Sequence, residues 1–119
     1  MSEIVGWHAH IYFNSPETRE TALRLREQIT TGWPSAMMGR VHDRPVGPHP
    51  IPMYQVAFAP ELFATLAPFI AVNRQGLTVL LHPDTLRPLD DHTKNPLWMG
   101  EILPLDTSML PEISERALG

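Results

Sequence analysis

The 119-residue chain is long enough for one hydrophobic core, and its 43% hydrophobic and 18% charged residues mark a globular fold rather than a disordered one. A net charge of −4 argues against a nucleic-acid surface, and no apolar run approaches the roughly 18–20 residues that cross a bilayer. The first residues, MSEIVGWHAH, lack the basic and apolar blocks of a secretion signal, and the absence of cysteine fits a reducing compartment, so a cytoplasmic location is expected and any metal must be held by His, Asp or Glu.

Residues 4–13 alternate, with Trp7, Ala9, Ile11 and Phe13 on one face and His8, His10 and Tyr12 on the other. That is the period of a strand with two unlike faces. Ser15 as cap and Pro16 at the first helical position predict a helix, which Ala22, Leu25 and Ile29 continue at helical spacing and Thr31-Gly32 ends. Met37–His42 and Met53–Phe58 read as strands, the second with Tyr54, Val56 and Phe58 alternating. A second helix opens at Pro60-Glu61 and carries Leu62, Leu66, Phe69 and Ile70, with a bend expected at Pro68. Leu77–His82 is the last strand, and the Pro-punctuated extension over 84–119 is expected to be irregular.

The order is β-α-β-β-α-β, which predicts a single α+β domain of ferredoxin-like topology over about 4–83. Two helices cover one face of a four-stranded antiparallel sheet. Trp7, Ile11, Phe13, Leu25, Val56, Leu66, Phe69 and Val79 are the expected core. The other face stays open unless the extension or a second copy covers it, and a homodimer is expected.

His8, His10 and Tyr12 line that open face. With the last strand read as antiparallel to the first, His82 lies beside the first strand's beginning. With the third read as parallel, the GPHP connector brings His49 to the same end, where His42 also arrives. Each histidine alone has a plain surface or packing reading; their convergence points to a metal held by His8, His10, His49 and His82, with positions left open. His8 and His10 are not separable as ligand and acid/base. His10, His42 and His92 are the candidates for proton transfer, and Asp43, Asp91 and Glu101 for an outer acceptor or a ligating carboxylate.

Three segments together, WHAHIYF (7–13), GRVHDRPVGPHP (39–50) and LLHPDTLRPLDDHTKNPLWMGEILPL (80–105), resemble the DOPA 4,5-dioxygenase family. The resemblance covers nearly the whole chain. It implies a ferredoxin-like, often dimeric domain that opens the ring of a catechol such as DOPA or caffeate with O₂. It also implies Fe(II) in the active enzyme, with zinc an alternative occupant of the isolated protein. Arg40 or Arg44 would then pair with a substrate carboxylate, and Tyr12, Tyr54 and Trp98 would wall its ring. The alternative reading is a non-catalytic metal- or small-molecule-binding dimeric domain of the same fold.

Overall fold

A computed structural model describes residues 3–118, with side chains through Arg116. The elements are β1 (Gly6–Tyr12), α1 (Pro16–Gly32), β2 (Met37–Met38), β3 (Met53–Phe58), α2 (Phe63–Asn73), β4 (Val79–Asp84), α3 (Pro88–Thr93), β5 (Leu97–Met99) and α4 (Glu115–Leu118). A 3₁₀ turn, Pro60–Leu62, leads into α2. The sheet has five strands in the order β2-β3-β1-β4-β5, and every neighbouring pair is antiparallel.

The start of α1 is as the sequence predicts. Ser15 accepts from the Thr18 amide while Thr18 returns a bond to the Ser15 amide, which satisfies two of the free N–H groups of a helix start. The inward faces of β1, β3 and β4 pack on α1 and α2 in one cluster that includes Ala9, Ile11, Val56, Val79, Leu25 and Leu66. Trp7 and Phe69 pack against this cluster from its margin and are only partly buried.

Four expectations change. The sheet has five strands, because the extension returns β5 to pair with β4 through Leu80 and Trp98. The extension also forms the short helices α3 and α4, and most of the rest of it is irregular, as expected. β2 is two residues long. Beyond it contact with β3 continues only through the Gly39 amide on the Gln55 carbonyl and an isolated bridge between His42 and Met53. Last, β3 runs antiparallel to β1, with Tyr12 opposite Met53 and Trp7 opposite Phe58. α2 continues through Pro68 as one helix.

The second sheet face is partly covered by the chain itself. Tyr12, Met53 and Leu80 are buried there under Val46, Ile51, Trp98, Leu103 and Leu105. Among the described residues no helix is long and apolar enough to cross a membrane. Core truncation should separate the two helix faces. Ile70→Ala removes a fully buried side chain and should lower unfolding free energy by about 2–5 kcal/mol. Val72→Ala, at 82% exposure on the same helix, should change it by less than about 0.5 kcal/mol in the same denaturant titration.

Candidate metal centre

Strand register builds the site. His8 lies directly opposite His82 across the β1–β4 pair, and His10 follows two residues along on the same face. One ligand nitrogen from each of His8, His10 and His82 can be chosen so that all three lie within 4.8 Å of one another. The Nε2 atoms of His10 and His82 are 3.0 Å apart.

Two more imidazoles reach this trio, one from α3 and one from a loop. His92, on α3, sits with its ring centroid 4.1 Å from that of His82, and the His49 ring lies tilted against that of His10 with centroids 4.2 Å apart. The route of His49 differs from the expected one. Because β3 is antiparallel to β1, its connector arrives at the Tyr12 end and folds back over the face, where His49 Nδ1 lies 2.7 Å from the Tyr12 hydroxyl. His42 is held by its bridge to Met53 on β3. Among the described residues its ring stacks on none of the other five histidines.

Hydrogen bonds fix two tautomers. His82 Nδ1 is 2.8 Å from the Pro83 carbonyl and His92 Nδ1 is 2.7 Å from the Pro88 carbonyl. A carbonyl only accepts, so both Nδ1 atoms carry the proton and both Nε2 atoms present lone pairs. His10 is buried, and its Nδ1 has no hydrogen-bond partner. Its Nε2 converges on His82 Nε2 at 3.0 Å, and such a set of neutral imidazole donors suits a cation. Two nitrogens each about 2.1 Å from one ion, with bonds at right angles, would stand about 3.0 Å apart. The residues present therefore fit a divalent metal with three imidazole ligands.

The electrostatics keep the rings neutral, as ligands must be. Burial, reinforced by neighbouring imidazoles, drives His10 well below the usual histidine value. Burial pushes His82 down to about 3 and His49 down to about 4, with His92 adding to both. His8 and His92 are lowered for the same first reason, although Asp84 partly opposes the shift at His8 and the Pro88 carbonyl does so at His92.

The loop that returns His92 over His82 is held tightly. Asp91 is buried and accepts from the Thr85 amide at 2.8 Å and the Thr85 hydroxyl at 2.6 Å. Leu86 takes a left-handed conformation at φ 65°, uncommon for a side chain of that size. It is pinned there by its amide on Asp84 Oδ1 and by the Ser114 amide on its carbonyl.

Other candidates scatter. Tyr12 lies against the site and its ring stacks on Trp98, with centroids 6.3 Å apart. Tyr54 belongs to the opposite face, because the β1–β3 register pairs it with inward-facing Ile11. It is fully buried under α1 and donates to the Ala22 carbonyl at 2.7 Å. Arg40 and Arg44 are exposed and form no hydrogen bond or ion pair among the described residues. Asp43 pairs with Arg19 on the surface, and Glu101 lines a separate small cavity with Gly76 and Leu103. Sequence reasoning missed Asp84, 3.9 Å from His8 Nε2, which the same two-residue period that placed His82 would have found.

The chain is similar to known proteins over most of its length. The Dopa 4,5-dioxygenase family model matches residues 7–109. A DOPA 4,5-dioxygenase of Amanita muscaria is 35% identical over 97% of the chain, and an uncharacterized 21.2 kDa protein of Botryotinia fuckeliana is 36% identical over 93%. The chain spans 54% and 66% of those two proteins' lengths. A crystal structure from Nostoc punctiforme, provisionally described as a dioxygenase, superposes with a TM-score of 0.81 at 39% identity, covering 98% of this chain and 95% of that one.

Lowered histidine pKa values have a consequence for stability. In the unfolded chain these rings titrate near 6.5, so between that value and about 3–4 the unfolded state binds more protons. Stability of the metal-free protein is therefore full above about pH 6.5 and should fall by a few kcal/mol as pH drops toward 4. Denaturant midpoints across pH 4–7.5 measure this, and a His49→Leu variant should show a shallower loss. On residue matches along almost its whole length, the chain belongs to the Dopa 4,5-dioxygenase family.

Proposed function

We propose that the protein is a non-haem extradiol dioxygenase that cleaves a catechol ring next to a hydroxyl carbon, with Fe(II) held by His8, His10 and His82. One observation carries the reading: three imidazoles within 4.8 Å on one sheet face, two of them converging at 3.0 Å, in a member of this family. Three protein ligands leave positions for a bidentate catechol and O₂. The reaction balances without an outside reductant, since one ring C–C bond breaks, both oxygen atoms enter the product, and the catechol supplies the electrons. Ferrous iron in the centre supplies the one-electron chemistry that lets O₂ react with a closed-shell ring.

The chain's own residues move the protons. His92 Nε2 presents a lone pair, because its Nδ1 proton is committed to Pro88, and its ring is only half-buried. It takes a catechol hydroxyl proton and later returns it. His49, with Nδ1 bonded to Tyr12, lies tilted against His10 and closes one side of the site, and Tyr12 on Trp98 walls the same end. Burial raises the Tyr12 phenol pKa, so it stays protonated as a hydrogen-bonding group. A zinc-holding, non-catalytic domain is the second reading, and the same trio supports it.

Anaerobic loading with Fe(II), followed by a catechol under air, should produce a yellow semialdehyde absorbance. His82→Ala should lose bound iron and turnover together. His92→Gln should keep its iron and lose roughly 10²–10⁴-fold in kcat, the usual share of a general acid/base. His49→Gln should also keep its iron; its loss would move His49 into the ligand set. Iron bound stoichiometrically with no turnover of any catechol rejects the enzyme and favours the second reading.

The homodimer belongs to this proposal as well. β5 is an edge strand, and Leu97 and Ile102 are 49% and 77% exposed beside it, which suits pairing with a second copy. Sedimentation that finds monomer alone at micromolar concentration rejects it.

A further inference from the structure

Beside the histidine trio lies a cleft of about 340 Å³, within the usual range of small-molecule sites. Its floor follows from sheet register. Met37, Ala57, His8 and His82 form one row across β2, β3, β1 and β4, and Gly6 lies opposite Asp84 one step along. Ala57 and Gly6 carry almost no side chain, so the sheet there is low enough to seat a flat ring directly beside His8.

The cleft has one cation among its lining residues, Arg116. Its NH2 donates to Asp84 Oδ2 at 2.8 Å. Its Nε and NH1 groups make no hydrogen bond among the described residues. The segment carrying it is tied down at three points: the Leu89 amide on the Pro111 carbonyl, the Ser114 amide on the Leu86 carbonyl, and the Arg116–Asp84 pair. Asp84 is buried and the Arg116 side chain is 66% exposed, so the pair anchors one end of the guanidinium and leaves the rest open to the cleft. Arg116 also lies beyond the segment that the family model matches, which ends at 109.

The geometry points to this cleft as the substrate subsite, with the ring seated over Ala57 and Arg116 acting as the specificity-determining counter-ion for a carboxylate on the ring's side chain. The inference rests on the proposed catechol chemistry at the adjacent histidines. Asp84 holds one end of the guanidinium fork, and the donors left over face an incoming carboxylate. Because the protein's net charge is −4, Arg116 attracts the anion locally rather than through the protein's overall field. Arg40 and Arg44 do not line this cleft.

The test separates binding from turnover. Calorimetry on the full chain loaded with redox-inert zinc compares 3-phenylpropanoate with its neutral amide. Arg116→Gln should weaken the acid by about tenfold or more and leave the amide within about twofold, the size expected for a charged hydrogen bond, with Arg116→Lys recovering part of the loss. Ala57→Met, which builds over the floor, should weaken acid and amide alike. Undiminished acid binding in Arg116→Gln places the carboxylate elsewhere, on the metal itself for instance, and overturns the assignment. Affinities unchanged by Ala57→Met remove the ligand from this cleft. In the iron-loaded enzyme, Arg116→Gln should raise KM for 3-(3,4-dihydroxyphenyl)propanoate but not for 4-methylcatechol. Arg116-dependent binding without ring opening would leave the subsite standing and the dioxygenase reading rejected; ring opening indifferent to Arg116 would do the reverse.

Discussion

The antiparallel pairing of β1 with β4 is the constraint on which the site depends. It sets His8 opposite His82, and the two-residue period of a strand brings His10 to the same face. A slip of one residue in either strand would turn its histidines toward the helices and its core residues toward the metal side. Ala9, Ile11, Val79 and Leu81, all buried under α1 and α2, forbid that slip. The hydrophobic core thus holds the ligand geometry as well as the fold, and rigid strands rather than loops carry the trio.

Around this frame the chain buries three imidazoles, His10, His49 and His82, and leaves His8 and His92 partly exposed beside them. A lone buried imidazole is an awkward group, since it has a donor and an acceptor to satisfy. The protein settles one nitrogen of His82 and one of His92 on carbonyls and pairs His49 with Tyr12. His10 is left with an unpartnered Nδ1 and an Nε2 turned toward His82. Packing five such rings together raises the penalty on any proton shared among them, which is why burial and mutual repulsion act in the same direction. A cluster this unfavourable for protons is favourable for a metal, because both compete for the same lone pairs.

Much of this was legible in the residues, but unevenly. Alternation in residues 4–13 separates the two faces of β1, and Ser15-Pro16 marks the helix that follows. Those signals are local, so sequence reading handles them well. Strand direction is not local. Treating β3 as parallel to β1 put His49 at the wrong end of the strand. It still reaches the cluster because the 43–52 connector folds back over the sheet, which no periodicity encodes. Tyr54 shows the opposite failure. Its own alternation with Val56 and Phe58 assigns it to the core, and only its aromatic character suggested a substrate wall. Most of the extension is irregular as its prolines suggest, but its short elements escaped notice, since Pro88 opens α3 from the first helical turn, where a missing N–H is harmless.

That extension closes the argument about how the open face became a site. A four-stranded sheet with one bare face would need a partner over its whole width. Here the added β5 and the Leu103–Leu105 stretch cover the Tyr12 end, while α3 returns His92 above the trio. The opposite end, over Ala57 and Gly6, is left uncovered except where Arg116 reaches Asp84. The strained turn at Leu86 connects these two tasks. Held by Asp84 on one side and Ser114 on the other, it fixes the entry to α3 and anchors the segment that carries Arg116. Backbone strain of this kind persists only where neighbours over-determine it, and here those neighbours are the residues that shape the approach to His8.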